Sequence, residues 1–416
     1  MKMLTVAAHT LGCKVNQCDT DAVLALLANI GYIIGKFSQA ADIYIINTCT
    51  VTHTSDKKSR QIIRRARKQN PVAFVAVCGC MAKNDPTIAN KLGVDFIFDA
   101  RKPDDFIKEI SKLYGESTTA PQDTALKKRT RSFVKIQDGC NRFCSYCIVP
   151  YVRGEPVSRP VAEILAEIDA HITNGVQEIV LTGIQVASYG EDLASENLPS
   201  LICKLSDIKS IKRLRLSSIE PYAITDEFIA AMANSAILCD HFHLSLQSGC
   251  DTTLARMNRR YTTSEYIVAI KRLRKLRPNA AFTTDIIVGF PGETDEEFYQ
   301  SLAFVRKMGF SRIHVFEYSR RTGTPAADFE NQVQDIIKTK RSKKMRNLAA
   351  ALQQEFLLRQ VGTTQSVLFE SQTEGYWYGH TNNYCPVTVA SDTNLTNTIR
   401  HIVITGHDGD GLIGKL

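Results

Sequence analysis

Three cysteines fall within eight residues of "DGCNRFCSYCIVPYVRG", Asp138 to Gly154. Their spacing, C-x3-C-x2-C at Cys140, Cys144 and Cys147, constrains the chain more than any other feature, because soft thiolates on one short loop select zinc or an iron–sulfur cluster. A structural zinc site is closed by four ligands, and neither Cys nor His occurs between Cys147 and His171 to close this one locally. Zinc completed by a distant residue is the bland alternative. A [4Fe–4S] cube is ordinarily held by four cysteines, so three leave one iron open to an exogenous ligand, which gives a substrate or cofactor a place to bind metal.

The rest of the sequence supplies the frame for that loop. A chain of 416 residues, 44% hydrophobic, has material for two or three domains. Its first apolar run is too short for a leader, and no window approaches the ~18 apolar residues of a membrane span, which predicts a cytosolic chain with no membrane partner. In that compartment cysteine clusters hold metals more often than disulfides.

Over residues 1–114 the runs "MLTVAAHTLG", "DIYIINTC", "AFVAVCGC" and "VDFIFDA" alternate with helical patterns, predicting a parallel-sheet α/β domain. Three of these strands end at a cysteine, Cys13, Cys49 and Cys80, and ligands of open α/β sheets bind outside the carboxyl ends of strands. Residues 115–131 are polar, contain Pro121 and read as a linker. Residues 132–359 hold six further strand and helix units, predicting a partial (β/α) barrel with its chemistry at the strand ends. Residues 360–416 change to short strands with Gly, Asn and Asp turns, predicting a small β-barrel.

The net charge is +8, and "SDKKSRQIIRRARKQ" carries seven Lys or Arg against one Asp. A single basic run is ordinarily a solvated helix face, but several together favour a polyanionic partner such as nucleic acid.

The three-cysteine loop, with Tyr146 before its last cysteine, resembles the signature of radical S-adenosylmethionine enzymes. Further stretches, among them "LGCKVNQCDTD", "INTCTVTHTSDKKSRQ", "CGCMA", "LTGIQVASYG", "RLRLSSIEP", "HLSLQSG", "RMNRRYT" and "DIIVGFPGETDEEF", resemble the methylthiotransferases of that superfamily, with their N-terminal domain and C-terminal TRAM barrel. "NTCTVTH" running into a basic helix is most similar to the branch acting on N6-threonylcarbamoyladenosine in tRNA. The resemblance implies two [4Fe–4S] clusters, a radical cluster on Cys140, Cys144 and Cys147 and an auxiliary one on Cys13, Cys49 and Cys80, with Cys78 competing with Cys80 for the third auxiliary place. It also implies S-adenosylmethionine as cofactor, chelated at the open iron and cleaved to a 5′-deoxyadenosyl radical that abstracts the C2 hydrogen of adenine. A second S-adenosylmethionine methylates sulfur on the auxiliary cluster. An electron donor such as flavodoxin or ferredoxin and a sulfur donor would be needed.

Candidate cofactor contacts are Tyr146 and Gly183, together with Glu220, Gln247 and Asp285 near predicted strand ends and Arg260 as a carboxylate partner. A structural hydrogen bond is an equal reading for each polar residue among them. Lys57, Lys58, Arg60, Arg64 and Arg65 are candidate phosphate contacts for the tRNA anticodon arm, and Tyr376, Trp377 and Tyr378 candidate stacking residues or core. Cys18, Cys203, Cys239, Cys250 and Cys385 lack cluster spacing and read as small apolar side chains. Close alternatives are a methylthiotransferase for N6-isopentenyladenosine or for a ribosomal protein. A non-enzymatic, redox-sensing RNA-binding protein would leave the barrel and the open cluster without a use.

Overall fold

The computed structural model describes residues 4–115 and 129–416. Runs of Val, Ile and Ala bounded by polar turns form five parallel strands, β1 (Thr5–Thr10), β2 (Ile33–Gly35), β3 (Ile43–Thr48), β4 (Phe74–Gly79) and β5 (Phe96–Ile97). Every residue of β3 is buried, as a parallel strand covered on both faces requires. The cover comes from α1 (Lys14–Asn29), α2 (His53–Gln69), α3 (Cys80–Asn84), α4 (Ile88–Leu92) and α5 (Asp104–Tyr114). The strand order β2-β1-β3-β4-β5 changes winding direction between β1 and β3, and the crevice at their carboxyl ends is where such sheets take ligands. Most of the linker expected at residues 115–131 lies outside the described residues. At its far end Arg129 donates to Asp21 of α1.

The second series comprises β6 (Arg131–Asp138), β7 (Val157–Ser158), β8 (Glu178–Gly183), β9 (Arg213–Leu216), β10 (Ser218–Ile219), β11 (His241–Leu244), β12 (Ala281–Val288) and β13 (Arg312–Glu317). They form two sheets, β7-β6-β8-β9 and β10-β11-β12-β13, joined by a bridge between Leu214 and Leu238. β9 and β10 are one strand interrupted at Ser217. Six parallel strands therefore follow in chain order, and the small β7 alone is antiparallel. This is the open half-barrel that the sequence predicts. Its helices are α6 (Val149–Arg153), α7 (Val161–Thr173), α8 (Leu198–Ser206), α9 (Asp226–Asn234), α10 (Asp251–Arg256), α11 (Thr263–Leu276) and α12 (Asp295–Met308). Thr262 with Glu265 and Thr294 with Glu297 close capping boxes at α11 and α12, satisfying amides that a helix start leaves free.

A long helix, α13 (Asp335–Leu358), leads to β14 (Thr364–Thr373), β15 (Tyr376–Thr381), β16 (Pro386–Ala390), β17 (Ile399–Asp408) and β18 (Gly411–Lys415), which close as a barrel in the order β14-β15-β16-β18-β17. This small barrel sits against the amino ends of the half-barrel strands. Glu178, fully buried at the start of β8, accepts from Arg131 Nε (2.6 Å) and from Arg215 Nε (2.7 Å) and Nη2 (3.1 Å). Burial opposes that carboxylate, but Arg215 and Arg131 outweigh it and hold Glu178 well below the usual range. These arginines and Arg213 grip the small barrel. Arg213 donates to the carbonyls of Ser366 (2.6 Å) and His380 (3.1 Å), Arg215 to that of Asn382 (3.1 Å), and Arg215 and Arg131 lie over the Tyr384 ring.

Replacing Glu178 with Ala leaves Arg215 buried without its counter-ion, a change expected to cost about 3–5 kcal/mol. Urea unfolding should show a lowered midpoint at unchanged slope, and a midpoint within experimental scatter of the parent would refute this role for the carboxylate.

Candidate active site

The loop after β6 is held from three sides. Its Cys140 amide donates to the Gly154 carbonyl (2.9 Å), the Ser145 amide to Met257 (3.0 Å), and Ser145 accepts from the Ala326 amide (2.8 Å). Asn258 Nδ2 donates to the Phe143 carbonyl (2.8 Å), which secures a residue at φ 49°. Arg142, between the first two cysteines, donates to the Tyr222 hydroxyl (2.7 Å) and to Glu191 (3.1 Å) and lies over the Tyr222 ring. Cys144 accepts from Arg259 Nη1 at 3.2 Å, and the other terminal nitrogen of Arg259 binds Glu220. Burial opposes the Arg259 charge, but Tyr146, Tyr261, Glu220 and Cys144 prevail and hold the guanidinium above its ordinary range. Arg259 thus faces the loop, whereas the side chain of its neighbour Arg260 is exposed. The turn decides between the two, because Asn258 adopts φ 55° and rotates the next residue inward.

The first domain gathers a second set of thiols at its crevice. Cys13 is the N-cap of α1, Cys49 follows β3, and Cys80 opens α3 after β4. A Cβ added to Gly12 would lie 2.9 Å from Cys49 Cβ and 3.0 Å from its Sγ, so the Cys13 turn rests directly on Cys49. Burial pushes Cys80 up to about 11, and both Cys13 and Cys49 bear on it electrostatically. Cys78 instead belongs to the apolar core on the far side of β4, completely buried with Phe98 and Phe106. Strict alternation would put Cys78 and Cys80 on one face. Gly79, at φ 88°, breaks it, and a Cβ there would meet the Thr48 carbonyl at 2.3 Å, so no other residue fits the turn.

The two cysteine sets face each other across α3 and α6. Cys80 packs with Ile148 and Val152, and Arg153, 7% exposed, reaches between the domains. Its Nη1 donates to both Asp138 oxygens (2.8 Å each), and its Nη2 to Asn16 (2.6 Å) and Asp19 (3.2 Å). Arg153 also draws on the Cys80 sulfur. Sequence reasoning missed Arg153, Arg259 and Arg142; the signal available was their position in or beside motifs that carry cysteines or the "NRRY" turn.

Burial raises Cys49 and Cys140 and pushes Cys147 up to about 12. Thiols in that condition are poor free nucleophiles at neutral pH, whereas a coordinated metal removes the proton outright. Three thiols on the loop and three at the crevice, each set without a carboxylate or imidazole among its members, fit soft iron–sulfur coordination. Among the described residues no three His, Cys, Asp or Glu side chains are grouped around a point suited to one metal ion. Of the remaining cysteines, Cys239, Cys250 and Cys385 are buried, Cys18 faces the Phe133 carbonyl at 3.5 Å, and Cys203 is exposed, so only the last departs from the apolar environment expected.

Between the cysteine sets and the small barrel runs a cavity of about 660 Å³ along the half-barrel lumen, lined by Cys13, Lys14, Gly183, Asp285, His314 and Tyr384 among others. Asp285 faces His243 Nε2 at 3.3 Å. Gly183 admits the Gln137 side chain, whose Oε1 would stand 3.0 Å from an added Cβ. Gln247, at φ 69°, pairs through its backbone with Asp285 and Ile287 at 2.9 Å each. Tyr146 packs edge-on against Phe290.

On α2, capped by Thr52, the side chains of Lys57, Lys58, Arg64 and Arg65 are exposed along one stripe with Gln61 and Lys68. Arg60 stands 3.5 Å from Asp85, and Arg65 lies over the Phe37 ring. In the small barrel Tyr376 and Tyr378 are 50% and 41% exposed. Trp377 is buried and donates to the Ser391 carbonyl (3.1 Å), so it is core and not a stacking platform. Alternation along β15 sends the middle aromatic inward.

Residues 134–305 match the family model described as "Radical SAM superfamily", and residues 5–99 that described as "Uncharacterized protein family UPF0004". The chain is 39% identical to the threonylcarbamoyladenosine tRNA methylthiotransferase MtaB of Bacillus subtilis, over 97% of this chain and 94% of that one. It is 36% identical to the protein of the same name from Chlamydia pneumoniae, over 98% and 96%. A tRNA-2-methylthio-N(6)-dimethylallyladenosine synthase of Pelotomaculum thermopropionicum is 34% identical over 95% and 94%. The fold is shared with the radical S-adenosylmethionine methyltransferase TsrM of Kitasatospora setae, at TM-score 0.59 and 14% identity over 90% of this chain and 82% of that one. A half-barrel with a three-cysteine loop after its first strand defines a radical S-adenosylmethionine enzyme. With its crevice domain and near-full-length relatives, the chain belongs to the methylthiotransferase family of that superfamily. Membership implies a [4Fe–4S] cluster and S-adenosylmethionine.

Arg259→Gln leaves Glu220 buried without a cation, at an expected cost of several kcal/mol, roughly 3–5. Arg260→Ala, at an exposed position, should stay within about 0.5 kcal/mol of the parent. Thermal melting of both variants checks the buried pair, and a melting temperature of Arg259→Gln equal to that of Arg260→Ala would refute it.

Proposed function

We propose that this chain methylthiolates C2 of N6-threonylcarbamoyladenosine beside the tRNA anticodon, at position 37. The observation that carries the reading is the 39% identity, spanning nearly the whole of both chains, to a relative named for that reaction. In this reading Cys140, Cys144 and Cys147 hold the cluster that binds S-adenosylmethionine, and Cys13, Cys49 and Cys80 hold the auxiliary cluster. When bound, the two clusters supply radical generation and the sulfur. An unactivated aromatic C–H bond is beyond the acids and bases of this chain, so its own residues bind, orient and shield.

Arg259 donates a hydrogen bond to the Cys144 sulfur and neutralises Glu220, so it steadies the loop from the barrel side. Arg153 does the same between Cys80 and Asp138. Gly183 and Asp285 line the cavity left for cofactor and base, and in this reading Tyr146 and Gln247 serve as further cofactor contacts. Lys57, Lys58, Arg64 and Arg65 meet the phosphates of the anticodon arm, with Tyr376 and Tyr378 available to unstacked bases. An electron donor and a sulfur donor complete the cycle.

The test is nucleoside mass spectrometry of tRNA lacking the modification, after anaerobic incubation with reconstituted protein, reductant and S-adenosylmethionine. One methylthio group is expected on N6-threonylcarbamoyladenosine. If the group appears on N6-dimethylallyladenosine instead, the substrate is that of the Pelotomaculum relative.

Ala at Cys140, Cys144 or Cys147 should abolish 5′-deoxyadenosine formation, whereas Ala at Cys13, Cys49 or Cys80 should spare it and stop sulfur insertion. Iron should fall from about eight to about four per chain in either set, and Cys78→Ala should keep all of it. Loss of 5′-deoxyadenosine in both sets would overturn this division of labour.

Arg64→Glu with Arg65→Glu should weaken tRNA binding and flatten its salt dependence by about two phosphate contacts in a filter-binding titration. An unchanged slope would remove α2 from the interface.

A further inference from the structure

The lumen lining holds two cations, Lys14 and Arg312, and two aspartates, Asp285 and Asp410, and the cations are not paired with the aspartates. Lys14 and Arg312 both line the cavity of about 660 Å³, and among the described residues neither side chain makes a hydrogen bond or an ion pair. Lys14 lies over the Phe133 ring at 5.6 Å, a contact that leaves its ammonium protons free. Two of the three lining imidazoles are engaged: His241 Nε2 and His243 Nδ1 meet the Thr283 hydroxyl at 3.1 and 3.0 Å, and His243 Nε2 faces Asp285, while the His314 ring stands 6.2 Å from that of His243. Asp285 and Asp410 are the carboxylates in the lining, and the first of them faces His243. At the floor Arg131 is paired with Glu178 and Glu370, and Arg215 with Glu178, so these carboxylates are already engaged.

This arrangement bears on a choice that sequence identity leaves open, since the threonylcarbamoyl and dimethylallyl relatives stand at 39% and 34%. The two substrates differ in the N6 substituent. One ends in a carboxylate and the other is wholly apolar. Seating an apolar group against Lys14 and Arg312 would strip water from two cations and return no hydrogen bond. A carboxylate would instead accept charge-assisted bonds from both. Because Lys14 directly follows Cys13, the group it binds lies beside the crevice thiols where the base must be presented. Lys14 also opens α1, whose free amides add to the attraction for an anion.

We infer that Lys14 and Arg312 receive the carboxylate of the N6-threonylcarbamoyl group and thereby select it over an N6-dimethylallyl group. The inference rests on the methylthiotransferase reading above and names the residues that set its substrate.

The experiment measures kcat/KM of the reconstituted full chain on three tRNAs, bearing N6-threonylcarbamoyladenosine, its neutral methyl ester, or N6-dimethylallyladenosine. The proteins are the parent, Lys14→Met, Arg312→Met, Lys14→Arg and Arg312→Lys, each admitted only with the parent's iron content and cluster spectrum. Each methionine variant should lose about tenfold or more on the carboxylate substrate, and change less than about twofold on the ester. The conservative variants should recover most of the loss. Should Lys14→Met fail to hold iron because it adjoins Cys13, Arg312→Met alone decides. The inference is overturned if the parent treats acid and ester alike, or if the methionine variants keep the parent's kcat/KM on the acid. A parent that forms 5′-deoxyadenosine but leaves the acid unmodified overturns the substrate reading itself, and the inference with it.

Discussion

Arg153 is the contact on which the rest of the site depends. It ends the short helix after the three-cysteine loop, yet its guanidinium is spent on the neighbouring domain, on Asn16 and Asp19 of α1 and on the Cys80 sulfur, as well as on Asp138 of its own strand. Lys135 joins the same network through Asp19 and Asp138, so two carboxylates face two cations. A buried network of this kind contributes little net stability, because desolvation consumes most of the attraction. Its effect is geometric. The hydrogen bonds are satisfied in one relative placement of the two cysteine loops, and sliding one domain against the other would leave Asp19 or Arg153 buried and unpaired.

The lumen between those loops is a consequence of an incomplete barrel. Six strands curve without closing, so side chains that would meet across a closed barrel instead border a space. At the amino ends the space is filled by Glu178 with Arg131, Arg213 and Arg215, and the small barrel seals it through backbone carbonyls and the Tyr384 ring. At the carboxyl ends the first domain is the lid. Three domains thus enclose one cavity, and each contributes lining: Cys13 and Lys14 from the first, Asp285 and His314 from the second, Tyr384 from the third.

The strands and the placing of cysteines at their carboxyl ends were legible because their signals are local. Period, β-branched composition and spacing mark them without reference to a neighbour. What was not legible depends on a single backbone torsion or on which face of a strand looks inward. Cys78 and Cys80 read alike until Gly79 turns the chain. Arg259 and Arg260 are adjacent arginines until Asn258 selects one of them. "YWY" in β15 shows that the middle ring differs from its flanks but not that it is the middle one that is buried. Lys14 carried no pattern at all. Its importance comes from a cavity formed by β-strands more than a hundred residues away.

The basic stripe acquires meaning from where α2 is anchored. The helix begins four residues after Cys49, and its first turn is fastened to the half-barrel: Arg321 binds Thr50 and Asp56, and the His53 amide donates to Ser319 at 3.2 Å. These contacts tie the helix to the residues just beyond β13, the strand that carries Arg312 and His314 into the lumen. A polyanion lying along Lys57, Lys58, Arg64 and Arg65 is therefore held at a fixed offset from the cavity mouth. Phosphate contacts carry no sequence information, but they fix register. In the proposed reading, register on α2 would determine which nucleotide of an anticodon arm stands over the space between the two cysteine sets, so a surface that reads no base would still decide which base is presented.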